Sequence, residues 1–278
     1  MRLVPVDDSN RQQVLVFIAL HESSCVTLAE NVRRKAEDIF AIRDDGGKLS
    51  GVIEAKHTLL HCLPDACNQD KSAQLKLLLA AFLHDRKITC INGEESGSLF
   101  VMRILAEENI HPAAVNHYAL MTLPREKPFS AIALPQGWHV VRCHDEDADA
   151  LMNLQSAYEK EEVLPQCRMF MAAVVRQNLE HILRSEYALA LRTDTGGFAA
   201  KANTNAIGIN YVQIGGVYTA PEYRGRRYAA LLVGTLVHKI HSVKKRPVLF
   251  VKDSNESAGN LYASLGFEKT GNFIIAYF

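Results

Sequence analysis

A chain of 278 residues is long for one compact domain, so two domains of ordinary size are expected. Its 31 basic and 31 acidic side chains cancel, which speaks against a nucleic-acid partner, and 48% apolar with 22% charged residues is the composition of an ordinary folded protein. The six cysteines (Cys25, Cys62, Cys67, Cys90, Cys143, Cys167) form no CxxC pair, so reduced, partly buried thiols are expected rather than a zinc site, and no metal.

The first residues carry Asp7 and Asp8 where a signal peptide needs a long apolar core. The apolar run Val14–Leu20 is too short to cross a bilayer. A cytoplasmic protein with no membrane partner is the expectation.

In chain order, helical segments fall around Gln12–Arg34 and are followed by a strand at Asp38–Arg43 with a hairpin turn at Asp44–Gly47. Lys48–Leu60 continues in strand-like alternation, and Leu75–Leu83 is an apolar helix. A short strand at Ile88–Ile91, helical spacing over Leu99–Leu105 and a closing strand at His117–Leu123 complete the first half. Pro124-Arg125-Glu126-Lys127-Pro128 reads as a linker, which sets expected domains at 1–124 and 129–278.

The second half repeats this order. Helices over Asp147–Leu183 are broken at Pro165, and Tyr187–Arg192 is a strand turned by Thr193–Gly197. Ile207–Thr219 is extended, with a bulge or close backbone approach at Gly215-Gly216. Then come a helix (Tyr228–Ile240), a strand (Val248–Val251), a helix (Ser257–Leu265) and a last strand, Phe273–Phe278, that closes the sheet.

The chemistry concentrates after the bulge. Val217-Tyr218-Thr219 runs into Pro221, then into the basic turn Arg224-Gly225-Arg226-Arg227, then into an apolar helix. Such a turn offers several backbone N–H groups at a helix N-terminus and can hold a phosphate.

From Gly215 to Phe278 the chain resembles the GCN5-related N-acetyltransferase (GNAT) superfamily. Arg224-Gly225-Arg226-Arg227-Tyr228-Ala229 matches its Arg/Gln-x-x-Gly-x-Gly/Ala signature for acetyl-CoA. Asn255 followed by a helix with Tyr262 and Leu265-Gly266-Phe267 matches its later motif. The resemblance implies an α/β (α+β) fold of two such lobes, each a mixed, mostly antiparallel sheet flanked by helices, the first lobe degenerate. It implies transfer of an acetyl group from acetyl-CoA to a small-molecule or peptide amine. Val217, Tyr218 and Thr219 would line the pantetheine arm, and Arg224, Gly225, Arg226, Arg227, Tyr228 and Ala229 the pyrophosphate. Asn255 would also contact the coenzyme, and Tyr262 would protonate the leaving thiolate. Arg227 stands where the family has Gly. Its N–H remains on offer if its dihedrals are ordinary helical ones, and its guanidinium either meets a phosphate or points into solvent.

No carboxylate lies among Asn210, Tyr211 and Gln213 on the strand before the bulge. Glu161 and Glu162, at the end of the lobe's first helix, are candidate contacts for a cationic acceptor. The first lobe has no basic glycine turn in His57–Ala66 and is expected to be scaffold or a wall of the acceptor cleft, with His57, His61 and His117 structural or at the surface. Two alternatives stay open: a non-catalytic acyl-CoA-binding or sensing protein, and a homodimer rather than a monomer.

Overall fold

The computed structural model describes residues 1–124, 133–165 and 168–278. All of the expected linker beyond Pro124, and Cys167, lie outside the described residues. The first half runs β1 (Arg2–Pro5), α1 (Arg11–Ala19), α2 (Val26–Arg33), β2 (Ile39–Arg43), β3 (Leu49–Ala55), β4 (Thr58–Cys62), α3 (Gln69–Leu83), β5 (Cys90–Glu94), α4 (Glu95–Glu107) and β6 (Ala114–Thr122). The second runs β7 (His139–Arg142), α5 (Ala148–Tyr158), α6 (Ala172–Ser185), β8 (Ala188–Arg192), β9 (Phe198–Ile207), β10 (Tyr211–Thr219), α7 (Tyr228–Ser242), β11 (Arg246–Lys252), α8 (Glu256–Ser264) and β12 (Glu268–Tyr277). The order of strands and helices is the same in both.

Local chemistry explains most boundaries. Gly47, at φ 81°, closes the β2–β3 turn, and Asn68 caps α3 by accepting the Asp70 N–H at 3.0 Å. One expected continuous strand is instead a hairpin: Lys48–Leu60 breaks at Lys56-His57 into β3 and β4. Ile207–Thr219 contains all of β10 but only the last residue of β9, a strand the sequence pattern left unassigned, and a second break at Gly208–Asn210 separates the two. The second break is made from a distance. The buried Glu22 carboxylate of the first half accepts N–H groups from Ile209, Asn210 and Tyr211, the last two at 2.9 and 3.1 Å. Gly208 lets it approach, because a Cβ there would overlap Glu22 Oε1.

Among the described residues twelve strands form one largely antiparallel sheet in the order β1-β2-β3-β4-β5-β12-β6-β11-β10-β9-β8-β7. The closing strands are therefore not at sheet edges, as their sequence position suggests. β12 lies between β5 and β6, and β6 lies between β12 and β11. Each half thus lends its last strand to the other's neighbourhood, joined by antiparallel pairing from Glu268↔Thr122 to Tyr277↔Ala114. Buried contacts place α1, α2, α5 and α6 on one face of the sheet and α3, α4, α7 and α8 on the other. No described helix is long and apolar enough to cross a membrane.

Candidate active site

β10 and β11 pair in parallel from Tyr211↔Arg246 to Ile214↔Leu249, and no further. Beyond Ile214 the strands part, and β10 bulges against β9 between Gly215 and Tyr218. Gly216 sits at φ 60°, and a Cβ on Gly215 or Gly216 would overlap the side chain of Asn205 or Asn203. The Gly-Gly pair is required by both the dihedral and the close approach. The bulge turns the Val217 side chain toward α7 and α8 and the Tyr218 side chain toward α5.

After β10, Pro221–Tyr223 makes a short 3₁₀ turn and Gly225, at φ 77°, turns the chain into α7. A Cβ on Gly225 would meet nothing within 4 Å, so the backbone of this turn is open. The first hydrogen bond at the entry to α7 runs from Leu231 N–H to Arg227 O at 3.1 Å, which leaves the preceding first-turn N–H groups directed out of the helix end.

Arg227 does not meet the condition of ordinary helical dihedrals. It is the N-cap of α7 at φ 62°, ψ 20°, in the left-handed region. That is why glycine suits the position, and an arginine there carries a backbone cost on the order of 1–2 kcal/mol. The residue still lines the cleft in front of the helix. Arg226 instead lies over the Tyr223 ring at 5.9 Å, and the Tyr228 side chain is buried 5.3 Å from Trp138.

Arg224 is held in place. Its Nε donates to Thr219 O at 3.1 Å and its Nη2 to Glu161 Oε2 at 2.7 Å. Tyr218 donates its hydroxyl to the other Glu161 oxygen at 2.6 Å. Tyr218 and then Arg224 hold the Glu161 carboxyl below its usual range, while burial, then Glu161, pushes the Tyr218 phenol up to about 12.

Glu161 and Glu162 sit on a single π-helical turn, Glu159–Val163, that extends α5. One wide turn at a helix end is a recurrent feature of functional sites. Glu162 Oε1 accepts the Asn255 Nδ2–H at 2.9 Å, and Asn255 Oδ1 caps α8 by accepting the Ala258 N–H at 3.0 Å. Seven residues beyond the cap, Tyr262 is 7% exposed. Burial, and secondly Glu162, raises its phenol well above its ordinary range, so it is a protonated hydroxyl at neutral pH.

Two cavities meet here. An outer cleft of about 520 Å³ runs along Val217–Thr219 to Arg224, Gly225, Arg227, Tyr228 and Ala229, with Asn255 and Tyr262 on its far wall. An inner cavity of about 270 Å³ lies between α2 and the π-turn, over the centre of the sheet. Glu162, Val217, Asn255, Ala258 and Tyr262 line both. Glu161 lies on the outer cleft, whereas Glu162 reaches both.

Sequence reasoning missed much of the inner cavity: Ser24, Cys25 and Thr27 at the start of α2, Asn92 on β5, Tyr118 on β6 and Lys252 on β11. These come from segments far apart in the chain, and no local pattern marks them. Lys201 was also missed, although a lysine in the run Ala199-Ala200-Lys201-Ala202 was a legible anomaly. It is 4% exposed, and burial lowers its amine to about 7.

In the first half the equivalent space is filled. Glu94 caps α4 as Asn255 caps α8, but Val101 takes the place of Tyr262. The fully buried His61 ring packs where a Cβ on Gly93 or Gly97 would stand, its Nε2 2.9 Å from Ser98 Oγ. Burial lowers His61 to about 4. Asp65 and Asp70 lie near the start of α3, where the second half has its basic turn. His57 and His117 are exposed. No described group of three His, Cys, Asp or Glu is placed to hold a metal.

Residues 190–274 match the family model described as FR47-like protein. No curated protein sequence matches the chain. A solved Drosophila protein is 13% identical and superposes with a TM-score of 0.72 over 99% of this chain and 98% of its own. A tandem GNAT protein from the clavulanic acid biosynthesis pathway is 17% identical, with a TM-score of 0.63 over 99% of this chain and 97% of its own. A GCN5-related N-acetyltransferase from Sphaerobacter thermophilus is 13% identical, with a TM-score of 0.64 over 99% and 94%. At these identities the likeness is one of fold, and it spans both halves.

Proposed function

We propose that this chain, a member of the GCN5-related N-acetyltransferase superfamily, is an acetyl-CoA-dependent N-acetyltransferase whose second lobe carries the chemistry. The observation that carries the reading is the junction of the two cavities, where Val217, Tyr262 and Glu162 converge. Acetyl-CoA supplies an activated acyl group as thioester. The first-turn N–H groups of α7 and the open turn at Gly225 hold its pyrophosphate, and the edge Val217–Thr219 takes the pantetheine arm as an added strand.

A primary amine enters from the inner cavity, with the first lobe as one wall. Glu162 receives it as the ammonium and takes its proton. The amine nitrogen then forms a bond to the carbonyl carbon, the Val217 N–H stabilises the negative charge on oxygen, and the C–S bond breaks. Tyr262 gives its proton to the thiolate and is restored by the second proton, which the nitrogen sheds as the amide forms, while Glu162 releases the first to solvent. Much of the rate comes from holding both substrates in line.

Arg224, engaged by Glu161 at 2.7 Å, lends support to a second reading in which acyl-CoA is bound but not turned over. Calorimetric titration with acetyl-CoA, followed by mass spectrometry of a primary-amine library incubated with enzyme and acetyl-CoA, separates the two. Acetylated amine supports the enzyme. Binding without product from any amine supports the binding protein, and no binding removes both. Arg224→Glu places a negative charge beside the pyrophosphate and should weaken binding; unchanged affinity would contradict the site.

A further inference from the structure

The Lys201 amine is buried beneath the bulge of β10. Two residues of β10, Gly216 and Val217, face the single residue Ala202 on β9, because Gly215 pairs with Asn203 and Tyr218 with Lys201. An irregularity of this kind leaves peptide groups outside the ladder. The carbonyl of one of them is claimed: Lys201 Nζ donates to Gly216 O at 2.8 Å. The same nitrogen also lies 4.5 Å from the centre of the Tyr158 ring, with Glu159 and Cys143 as its other electrostatic neighbours. A Cβ on Gly216 would stand 3.1 Å from the same Nζ, so the peptide lies tightly against it.

The C=O of Gly216 and the N–H of Val217 belong to one planar trans peptide and point in opposite directions. A donor that fixes the carbonyl therefore also fixes the N–H. We infer that Lys201 is a positioning residue for acetyl transfer: by holding the Gly216 carbonyl on the β9 side it aims the Val217 N–H into the junction of the two cavities. The inference rests on the acetyl-transfer reading, in which that N–H stabilises the developing oxyanion.

A lysine in an otherwise alanine-rich buried strand is costly to keep, and a bulge could be packed by apolar side chains. The geometry gives it a use. Its hydrogen bond selects one orientation for a peptide that ladder pairing leaves free, so the donor is set before the substrate arrives. Lys201 itself touches neither substrate.

The test is isotope-edited infrared spectroscopy of acetyl-CoA labelled with ¹³C at the thioester carbonyl, bound to the full chain without acceptor. The wild-type complex should show the carbonyl stretch shifted below that of free acetyl-CoA. Lys201→Met and Lys201→Leu both delete the donor while filling the hole, and ordinary acetyl-CoA affinity certifies that a variant is folded. Whichever passes should lose most of the downshift. With an acceptor from the amine screen, kcat should fall on the order of 10- to 100-fold while the KM for acetyl-CoA stays within about threefold. Lys201→Gln, which keeps an N–H, should recover part of both.

A folded Met or Leu variant with the wild-type downshift and kcat overturns the inference, and so does a wild-type complex without a downshift. Acetyl-CoA that binds with a downshift, yet is transferred to no amine, overturns the enzymatic reading and leaves the role of Lys201 in polarising the carbonyl standing.

Discussion

Asn255 and Glu162 are joined at 2.9 Å by a side chain that also caps α8 at 3.0 Å, so one residue ties the start of the helix that carries Tyr262 to the carboxylate at the junction of the two cavities. The two tasks separate by substitution. Asn255→Ala loses the cap and should cost about 1 kcal/mol of stability in a denaturant titration. Asn255→Asp keeps an acceptor for the Ala258 N–H but sets a second carboxylate against Glu162. It should unfold near wild type and transfer acetyl much more slowly. Wild-type turnover in Asn255→Asp would mean that the position of Glu162 does not matter to the reaction.

Tyr262→Phe should lower kcat on the order of a hundredfold and leave the Kd for acetyl-CoA within about twofold. An acid catalyst must carry its proton, and burial raises this phenol above its ordinary value. Its protonated form therefore persists to higher pH, and kcat should stay level between about pH 8 and about pH 9.5. A fall across that range that also persists in Tyr262→Phe would assign the acid to another group.

Arg227 holds a left-handed backbone at φ 62°. Arg227→Gly should stabilise the native state by about 1 kcal/mol, seen as a rise in Tm of about 2–4 °C by scanning calorimetry. Arg227→Ala removes the same guanidinium without relieving the dihedral and should show no such rise. Equal gains in both variants would trace the effect to charge rather than to backbone.

Glu186 is buried at 8% exposure and accepts a hydrogen bond from Thr204 Oγ1. Burial, and then the nearby Glu30, raises its carboxyl to about 7. A carboxyl with a folded value above its unfolded one contributes stability that is present below the unfolded value, near 4.5, and lost as pH rises through about 7. Glu186→Gln keeps a neutral group there at every pH. It should be more stable than wild type above about pH 8, by at most about 3 kcal/mol, with the advantage gone near about pH 4.5. Thermal unfolding of both proteins across this range decides it, and a constant difference would exclude buried charge as the cause.

The repeated order of strands and helices was legible in the sequence because apolar periodicity and turn residues are local properties. So was the bulge, since two adjacent glycines in a strand mark a backbone conformation that other residues resist. The edge strands β1 and β7 escaped because four residues of half-exposed chain carry too little alternation to register. The split between β9 and β10 escaped for a different reason: the groups that satisfy its turn belong to Glu22, 187 to 189 residues earlier.

The positions of the basic turn, Asn255 and Tyr262 were legible in the sequence alone, because the open turn at the start of α7 and the capped helix behind it are each built from contiguous residues. Only the tertiary structure decided that Arg227 takes a left-handed dihedral, that Glu161 faces the outer cleft while Glu162 reaches the inner one, and that β6 and β12 lie at the centre of the sheet. It also decided that Lys201 lies beneath the bulge and that His61 fills the corresponding space in the first half. These depend on which distant segments pack together. A single chain's local pattern does not encode that pairing, which follows from burying both halves' apolar faces against one continuous sheet.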